Sequence, residues 1–352
     1  MLKLALIGCG RISKRHSELL GLKQIKGAEL AAVCDTVLDK AKKIGLQFNV
    51  PAYADMDEMM KNENIDVAVV LTPSGLHAEH VIKLAKYGKD IIVEKPMALT
   101  LDDADSMIEE CDKNNCRLFI IKQNRFNVPV VKLREAQQAK RFGKLILGTV
   151  RVRWARHQQY YDQDAWRGTW AMDGGVLTNQ ASHHVDLLEW MMGDVESVFA
   201  HATTALADIE AEDTAVVTVK FKSGALGIIE ATTAARPTDL EGSISILGEK
   251  GSVVIGGFAV NKMECWAFEE DLEGDDKVLE QFSVNPPNVY GFGHQAYYEH
   301  VVECVAGSGK NLVDGLQGRK SIELINAIYE SVETGKEVFL RYKPQKFKLG
   351  QS

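Results

Sequence analysis

The sequence predicts an α/β protein with two domains. We expect a doubly wound parallel sheet over residues 1–122 and an α+β domain with an open, largely antiparallel sheet over residues 123–352. The first part alternates short apolar runs with amphipathic stretches, which is typical of parallel strands covered by helices on both faces. Beyond it, longer β-rich segments follow one another across turn signals, as antiparallel strands do. A chain of 352 residues is long enough for two hydrophobic cores.

Five apolar runs are the predicted strands of the first domain. Each is short, is bounded by turn residues or charges, and is mostly apolar on both faces. They are LKLALIG, AELAAVCD, DVAVVLTP, DIIVEKP and RLFIIKQ. The stretches between them have apolar positions at helical spacing. One of these, HAEHVIKLAKYG, ends on Gly88, which suits a helix C-cap.

The second domain is predicted to combine one sheet with a layer of helices. Its strand candidates are KLILGTVRVRWAR, ESVFAHATTAL, DTAVVTVKF, GALGIIEATTAA, GSISILGEKGSVVIGG and MECWAF. Helical patterns at about 128–141, 183–192, 293–306 and 316–333 are expected to cover one face of this sheet. Neither a repeat nor a low-complexity linker interrupts the chain, so we expect a ligand site where the two domains meet.

Composition and charge exclude several classes of protein. The net charge is -8, with 41 Lys and Arg against 49 Asp and Glu, which argues against a nucleic-acid partner. A local arginine cluster remains compatible with a small anion. The six cysteines form no C-x-x-C pair, so we expect free thiols in a reducing compartment. The apolar N-terminus is interrupted by glycines and predicts a strand rather than a signal peptide, and we expect a cytoplasmic protein.

A glycine motif follows the first predicted strand and opens a helix. In GCGRIS, residues 8–13, Gly8 allows a tight turn and Gly10 allows the backbone to approach a pyrophosphate at the helix N-terminus. Ser13 stands where such motifs usually have a third glycine. Asp35 ends the second strand, where a carboxylate can accept both hydroxyls of a ribose and would repel a 2′-phosphate. The sequence therefore predicts a dinucleotide site that favours NAD over NADP.

Two further stretches carry a family resemblance. LTPSGLH at 71–77 and VEKPM at 93–97 each follow a predicted strand, and together with GCGRIS they resemble the Gfo/Idh/MocA family of NAD(P)-dependent sugar dehydrogenases. The resemblance covers essentially the whole chain, and the E-K-P triplet is its most specific mark. It implies a Rossmann domain followed by an α/β domain with an open sheet. Pro96 fixes the local backbone and is a candidate for a cis peptide bond.

The resemblance also implies which residues bind the cofactor and which perform the chemistry. Cofactor contacts are expected at Gly8, Gly10, Arg11, Ile12, Asp35, Thr72, Pro73, His77, Glu94, Lys95 and Gln123. Without the resemblance, Lys95 would be a surface lysine and His77 a helix N-terminal histidine. Lys95 and His183 are the expected catalytic pair. His183 would take the proton of a substrate hydroxyl, and Lys95 would stabilise the developing oxyanion, although the two roles could be exchanged.

The stretch DGGVLTNQASHHVDLLEW at 173–190 matches a helix motif of the family with one departure. Members usually carry Asp, then His four residues later and Asp three residues after that; here these positions are Asn179, His183 and Asp186. The spacing predicts Asn179 and His183 on one face of a helix. Asn179 replaces a carboxylate by a neutral group. We expect no metal, because His183 and His184 would point about 100° apart on a helix.

The segment 151–170 is rich in arginine and aromatic residues, which bind anions and stack on sugars or bases. The alternative for this segment is an exposed sheet edge and loop. With NQASHHVDLL and GFAVNK, it resembles the bacterial branch that oxidises UDP-N-acetylglucosaminuronic acid at C3 for surface-polysaccharide synthesis. The implied substrate contacts are Arg153, Arg156, Tyr161, Trp166, Arg167, Asn179, His183 and Arg236. The resemblance further implies a homo-oligomer, with a tetramer favoured, and 2-oxoglutarate as a candidate reoxidant of the cofactor.

Three other interpretations stay open at this point. The same chemistry on a plain polyol such as inositol is one, although the arginines of 151–170 argue against it. An NAD-sensing regulator without turnover is another, although it would need neither Lys95 nor His183. Asn179 would also be compatible with an altered enzyme that uses redox chemistry transiently.

Overall fold

The computed structural model of the protein describes residues 1–283, 292–341 and 348–350. The chain forms two compact units, one of residues 1–121 and 295–322 and the other of residues 122–294 and 323–352. The domain boundary that we expected at 122/123 differs from this division, because 295–322 return to the first unit. The physical reason lies in backbone pairing within that unit. The N–H of Ile120 donates to the carbonyl of Val313 (2.7 Å), so the returning segment extends the edge of the first sheet.

The first unit contains a six-stranded parallel sheet with strand order β3-β2-β1-β4-β5-β6. Its strands are β1 (Leu2–Ile7), β2 (Ala28–Cys34), β3 (Ala52–Tyr53), β4 (Val67–Val70), β5 (Asp90–Val93) and β6 (Leu118–Ile120). The intervening helices are α1 (Ser13–Gly21), α2 (Leu38–Phe48), α3 (Met56–Asn62), α4 (His77–Ala85) and α5 (Leu101–Lys113). This is the doubly wound Rossmann order, and the fold predicted for the first domain is confirmed.

Local sequence accounts for several of these elements. All four residues of β4 are buried, as expected for a central strand with helices on both faces. Asp55 and Thr100 cap α3 and α5 by accepting hydrogen bonds from the backbone N–H groups three residues later. Only β3 escaped prediction among these strands, because two residues show no periodicity.

The second unit contains an eight-stranded sheet with order β13-β12-β11-β7-β10-β9-β8-β14. The strands are β7 (Leu145–Arg153), β8 (Val195–Thr203), β9 (Thr214–Phe221), β10 (Leu226–Thr232), β11 (Glu241–Gly248), β12 (Gly251–Gly256), β13 (Lys262–Phe268) and β14 (Val338–Phe339). Neighbouring strands are antiparallel except β7 and β10, which are parallel. The predicted open, largely antiparallel sheet is confirmed. The two-residue β14 was not predicted.

The four longer helices beyond the first sheet lie close to the predicted ranges, whereas the two four-residue helices there were not predicted. In chain order the helices are α6 (Val128–Gln138), α7 (Gln158–Tyr161), α8 (Ser182–Met192), α9 (Val278–Gln281), α10 (Gly293–Val305) and α11 (Gly315–Thr334). Helix α8 packs closely on one face of the second sheet, because a Cβ at Gly148 would lie 2.7 Å from Cγ of Met192. The described parts of the chain contain no helix with both the length and the apolar character needed to cross a membrane.

The cysteines are free thiols, as predicted from their spacing. Five of the six are buried, and Cys265 is half-buried. Burial, with a smaller contribution from nearby carboxylates, raises the pKa of Cys9 and Cys34 to about 12. These two thiols therefore stay protonated and pack as small apolar groups.

Candidate active site

The glycine loop after β1 has the geometry that a dinucleotide site needs. Gly8 has φ +99°, and a Cβ there would lie 2.8 Å from the backbone carbonyl of Leu71, so only glycine fits. A Cβ at Gly10 would meet nothing within 4 Å. The space above Gly10 is therefore open, and a phosphate can approach the backbone closely there.

The N-terminus of α1 is also suited to an anion. Arg11 is exposed and Ile12 occupies the N-cap position, where it provides no side-chain hydrogen bond. The first turn carries no acidic residue. The N–H groups of Ser13 and Arg15 donate to the carbonyls of Gly10 (3.2 Å) and Ile12 (3.0 Å), so the positive end of the helix dipole, with no acidic residue beside it, is what favours a bound phosphate. Both observations fit NAD.

Asp35 follows β2 and is half-buried beside the glycine loop. Its Oδ2 accepts a hydrogen bond from the N–H of Cys9 (2.8 Å), and its Oδ1 accepts one from the N–H of Val37 (2.8 Å). Each carboxylate oxygen has a second lone pair, so these bonds leave capacity for ribose hydroxyls. Asp35 thus has a second role that the sequence did not indicate, since it also holds the glycine loop.

Glu94 and Lys95 follow β5, and the Lys95–Pro96 peptide bond is cis. Glu94 is buried; its Oε2 accepts a hydrogen bond from the N–H of Lys95 (2.9 Å), and its Oε1 lies 3.0 Å from Nε2 of His16. Nδ1 of His16 lies 2.7 Å from the hydroxyl of Tyr298. Both contacts are hydrogen bonds when Nε2 donates to Glu94 and Nδ1 accepts from the hydroxyl of Tyr298.

His16 and Tyr298 were missed in the sequence. His16 lies on α1 and Tyr298 on α10, 282 positions apart, so no local pattern connects them. Burial raises the pKa of Tyr298 well above its ordinary value, and its hydroxyl therefore keeps the proton that it donates. The result is a buried chain of hydrogen bonds that holds the backbone next to Lys95.

His77 joins the two loops that follow β4 and β5. Its Nδ1 lies 2.8 Å from the carbonyl oxygen of Pro96, and its Nε2 lies 2.9 Å from that of Thr72. The residue is 1% exposed, and burial lowers the pKa of the imidazole against the opposing effect of the two carbonyl oxygens. Thr72 is half-buried and its hydroxyl contacts Nδ1 of His80 (2.9 Å), while Pro73 precedes a 3-10 turn. If His77 contributes to cofactor binding, it therefore does so only indirectly, by holding together the loops that follow β4 and β5.

In the second unit, His183 lies in the first turn of α8 and contacts Gln123. The amide nitrogen of Gln123 donates to Nε2 of His183 (2.8 Å), and both residues are buried. The Oε1 atom of Gln123 is buried without a hydrogen-bond partner in the part of the chain that the structure describes. A buried acceptor of this kind fits a residue that receives a hydrogen bond from a bound ligand.

Asp186 anchors α8 one turn after His183. It accepts hydrogen bonds from Nε and Nη2 of Arg125 (2.8 and 2.7 Å) and from the ammonium of Lys122. Burial opposes its ionisation, but Arg125 and Lys122 hold the pKa of Asp186 well below its ordinary value. Burial lowers the pKa of Lys122 to about 8, against the attraction of Asp186. Lys122 and Arg125 were not predicted as site residues.

Asn179 is not part of the same regular helix as His183, so that prediction was wrong. Helix α8 begins at Ser182, and the preceding residues form turns in which the N–H of Ala181 bonds the carbonyl of Val176 (2.7 Å). This bond spans five residues and breaks the helical spacing. Asn179 is half-buried, and its Nδ2 donates to Oδ1 of Asp173 (2.5 Å).

The arginines of segment 151–170 differ in the carboxylates with which they form ion pairs. Arg153 is paired with two carboxylates, bidentately with Glu230 (2.5 and 2.8 Å) and singly with Glu241 (3.1 Å). Arg156 lies 2.9 Å from Asp239. Because its charge is already balanced on the sheet, Arg153 is less suited than the sequence indicated to bind an anion.

Tyr161 ends α7, and Trp166 and Arg167 lie in the loop that follows. Arg167 stacks on Trp166 with 4.6 Å between guanidinium carbon and ring centre, and it lies 3.1 Å from Asp164. Trp166 is half-buried. Tyr161 is buried and its hydroxyl contacts that of Thr233 (2.9 Å), which gives it a packing role.

Arg236 combines exposure with backbone anchoring. Its Nη1 donates to the carbonyls of Thr233 (3.1 Å) and Ala235 (2.7 Å), and its Nη2 donates to that of Arg156 (3.2 Å). Within the described residues no carboxylate lies in ion-pair distance of it. A fixed guanidinium with unbalanced charge is the arrangement that recognises phosphate or carboxylate.

A Rossmann sheet with this glycine loop, joined to a unit that presents a histidine and a fixed arginine, defines a dinucleotide-dependent oxidoreductase. Residues 2–122 match the model described as oxidoreductase family, NAD-binding Rossmann fold, and residues 135–340 match that of the C-terminal alpha/beta domain of the same family. The chain belongs to the Gfo/Idh/MocA oxidoreductases and depends on NAD.

Solved structures and a characterised relative agree with this assignment. The WlbA dehydrogenase of Bordetella pertussis, crystallised with NADH and UDP-GlcNAcA, is 41% identical with a TM-score of 0.93, covering 97% of this chain and 98% of that one. The WlbA dehydrogenase of Chromobacterium violaceum, with the same ligands, is 42% identical with a TM-score of 0.90, covering 96% and 95%. Myo-inositol 2-dehydrogenase of Thermotoga maritima is 34% identical, covering 78% of this chain and 80% of the relative.

Proposed function

We propose that this chain oxidises the C3 hydroxyl of UDP-N-acetylglucosaminuronic acid to the 3-keto sugar, as a step in the synthesis of a bacterial surface polysaccharide such as O-antigen. The observation that carries the proposal is likeness over nearly the whole chain, at 41% and 42% identity, to two dehydrogenases crystallised with that sugar nucleotide. The charge of Arg236, which is anchored on three carbonyls, adds support, since this substrate carries a diphosphate and a carboxylate.

NAD, when bound, supplies the acceptor for the hydride that leaves C3. Gly8, Gly10, Asp35 and the first turn of α1 would hold it. The proposal requires the C3 hydroxyl to lose its proton as the carbon–oxygen double bond forms. His183 takes that proton on Nε2, where the substrate hydroxyl replaces the amide N–H of Gln123 as the hydrogen-bond donor. The ammonium of Lys95 stabilises the negative charge on the same oxygen.

Three arginines of the second unit are the proposed anion ligands. Arg236 meets the diphosphate or the carboxylate, and Arg156 and Arg167 contribute guanidinium N–H donors that Asp239 and Asp164 do not occupy. Trp166, which stacks on Arg167, offers an aromatic face to uracil or sugar. In this proposal Arg153 does not bind the substrate and instead pairs with Glu230 and Glu241 on the sheet.

The first test mixes the purified protein with NAD and UDP-N-acetylglucosaminuronic acid, with and without 2-oxoglutarate, while NADH absorbance and 3-keto product are both followed. NADH that accumulates without 2-oxoglutarate supports the function with a freely exchanging cofactor. Product that forms only with 2-oxoglutarate supports the function with a tightly held, recycled cofactor. Turnover of myo-inositol instead of the sugar nucleotide would favour the alternative that the Thermotoga relative suggests. If the protein binds NAD but oxidises neither the sugar nucleotide nor myo-inositol, the interpretation that remains is an NAD-sensing regulator.

Lys95→Met tests the assignment of the ammonium. We expect turnover to fall by about three orders of magnitude, in the range that removal of a transition-state charge stabiliser gives, with the Kd for NAD changed less than about threefold. Lys89→Met, immediately before β5, is the control and should retain activity. Loss of NAD binding in Lys95→Met would make this lysine a structural residue.

A further inference from the structure

A buried carboxylate lies beside Asn179. Asp173 is 2% exposed, and its two oxygens receive hydrogen bonds from different parts of the second unit. Oδ1 accepts from Nδ2 of Asn179 (2.5 Å), and Oδ2 accepts from the N–H of Gly168 (2.9 Å). The turn around Asp173 is closed by the N–H groups of Asp173 and Gly174, which both donate to the carbonyl of Thr169 (3.1 and 2.8 Å).

This contact fixes the orientation of the Asn179 amide. A carboxylate only accepts hydrogen bonds, so the amide must turn its nitrogen toward Asp173, and its oxygen then points away. An aspartate at position 179 would place two carboxylate oxygens at the same short distance. Such a pair cannot hold two negative charges and must share a proton. The buried charge of Asp173 therefore explains why an amide, rather than a carboxylate, suits position 179.

The same carboxylate joins two segments that the proposed function uses. Gly168 follows Trp166 and Arg167, and Asn179 precedes His183 by four positions. Gly168 has φ +69°, and a Cβ there would lie 2.7 Å from Ile209, so its backbone is closely constrained. Asp173 thus links the arginine-bearing loop to the turn that enters α8.

We propose that Asp173 is a positioning residue of the substrate site, which holds the amide of Asn179 so that Oδ1 accepts a hydrogen bond from a sugar hydroxyl or acetamido N–H. The inference rests on the function proposed above. It makes residue 179 an acceptor that selects for a donor group on the sugar, and it makes the identity of residue 179 depend on that of residue 173.

Exchanging the aspartate and the asparagine between positions 173 and 179 tests the inference. Asn179→Asp should lose about a hundredfold in kcat/KM at pH 8 and regain much of it at pH 6, where the paired carboxylates share a proton. Asp173→Asn should lose about tenfold, because the amide of Asn179 is no longer held in one orientation. The double variant, Asp173→Asn with Asn179→Asp, again pairs one amide with one carboxylate, and it should recover to within about fivefold of the unmodified protein at both pH values.

Because other groups also titrate between pH 6 and pH 8, the kcat/KM of each variant is compared with that of the unmodified protein at the same pH. Glu212 is the relevant neighbour, because burial raises its pKa to about 7 and Asp173 adds to that shift. Two results would overturn the inference: an Asn179→Asp variant with the pH profile of the unmodified protein, or a double variant no more active than Asn179→Asp. A variant that fails to fold is replaced by Asn179→Ala. That variant should raise the KM for the sugar about tenfold without changing the Kd for NAD, and an unchanged KM overturns the inference.

The unmodified protein in the same experiment tests the proposed function separately. If it oxidises another sugar but not UDP-N-acetylglucosaminuronic acid, the substrate proposal fails, and the variants are compared on the sugar that is oxidised. Inactivity toward every sugar tried overturns both proposals together.

Discussion

Asp35 shows how one side chain can serve both the fold and a ligand. Its carboxylate receives the N–H groups of Cys9 and Val37, which ties the end of β2 to the glycine loop. The lone pairs that remain lie at the strand end where the ribose of a dinucleotide binds in Rossmann sheets. Removal of this carboxylate therefore affects every dinucleotide through the loop, and NAD in addition through its ribose.

We predict that Asp35→Ala raises the Kd for NAD by about 10- to 100-fold, the effect of losing hydrogen bonds to a charged acceptor. The Kd for NADP should change far less, because the variant also loses the repulsion of the 2′-phosphate. Isothermal titration with both nucleotides measures the difference. Asp39→Ala, an exposed acid on α2, is the control. An equal rise in the Kd for NAD and in that for NADP would show that Asp35 does not bind the ribose.

Sequence patterns identified single residues well where chemistry is local and poorly where partners are distant. The glycine loop, Asp35 and the E-K-P triplet each lie in one short segment, so their spacing was visible. Arg153 was proposed as an anion ligand because it lies in an arginine-rich segment, and its partner Glu230 lies 77 positions away on β10, beyond the reach of a local pattern. The register of the sheet decides that pairing, and no property of segment 151–170 indicates it.

At the scale of elements, the turns before α8 are built over a buried acid. Oε1 of Glu212 accepts hydrogen bonds from the N–H of Leu177 (3.0 Å) and the hydroxyl of Tyr329 (2.9 Å). A Cβ at Gly175 would lie 2.1 Å from Oε2 of Glu212, so glycine is required where the turn passes over this side chain. Burial raises the pKa of Glu212 to about 7 from its ordinary 4.5.

This raised pKa predicts a loss of stability with rising pH. Between about pH 4.5 and 7 the unfolded chain releases the proton of Glu212 while the folded protein keeps it. The folded protein then binds more protons, so the free energy of unfolding falls across this window, by about 3 kcal/mol in total.

Glu212→Gln is uncharged at every pH and should lack this dependence. Relative to the unmodified protein, its free energy of unfolding should rise by about 3 kcal/mol between pH 4.5 and pH 8, as measured by denaturant titration at both pH values. Glu210→Gln, an exposed acid two positions earlier, should show no such change. A constant difference between Glu212→Gln and the unmodified protein would show that Glu212 is ionised at both pH values.

At the scale of the whole molecule, one face of the second sheet carries exposed apolar side chains. Leu226 and Ile228 on β10 and Val216 on β9 are 56%, 38% and 50% exposed. Exposed large apolar side chains grouped on one sheet face are typical of an interface. We propose that a second copy of the chain covers this face, in keeping with the homo-oligomer expected from the family resemblance; the tetramer stays a prediction.

The oligomer prediction is tested with a charge placed on this face. Ile228→Glu should shift the protein to a smaller species in size-exclusion chromatography with light scattering, because a carboxylate buried in an apolar contact costs several kcal/mol. Leu46→Glu, on α2 at a residue 85% exposed, is the control and should leave the assembly unchanged. An unmodified protein that elutes as a monomer would contradict the proposal directly.

The return of residues 295–322 to the first unit has a consequence for biosynthesis. The N-terminal sheet emerges first from the ribosome, but Tyr298, which contacts His16, and Val313, which extends β6, follow only after residues 122–294 have been made. At about 5–20 residues per second, this interval lasts on the order of ten to thirty seconds. During that time the nascent sheet exposes the surfaces that α10 later covers, so the first unit is completed only after most of the second has been made, although it begins the chain.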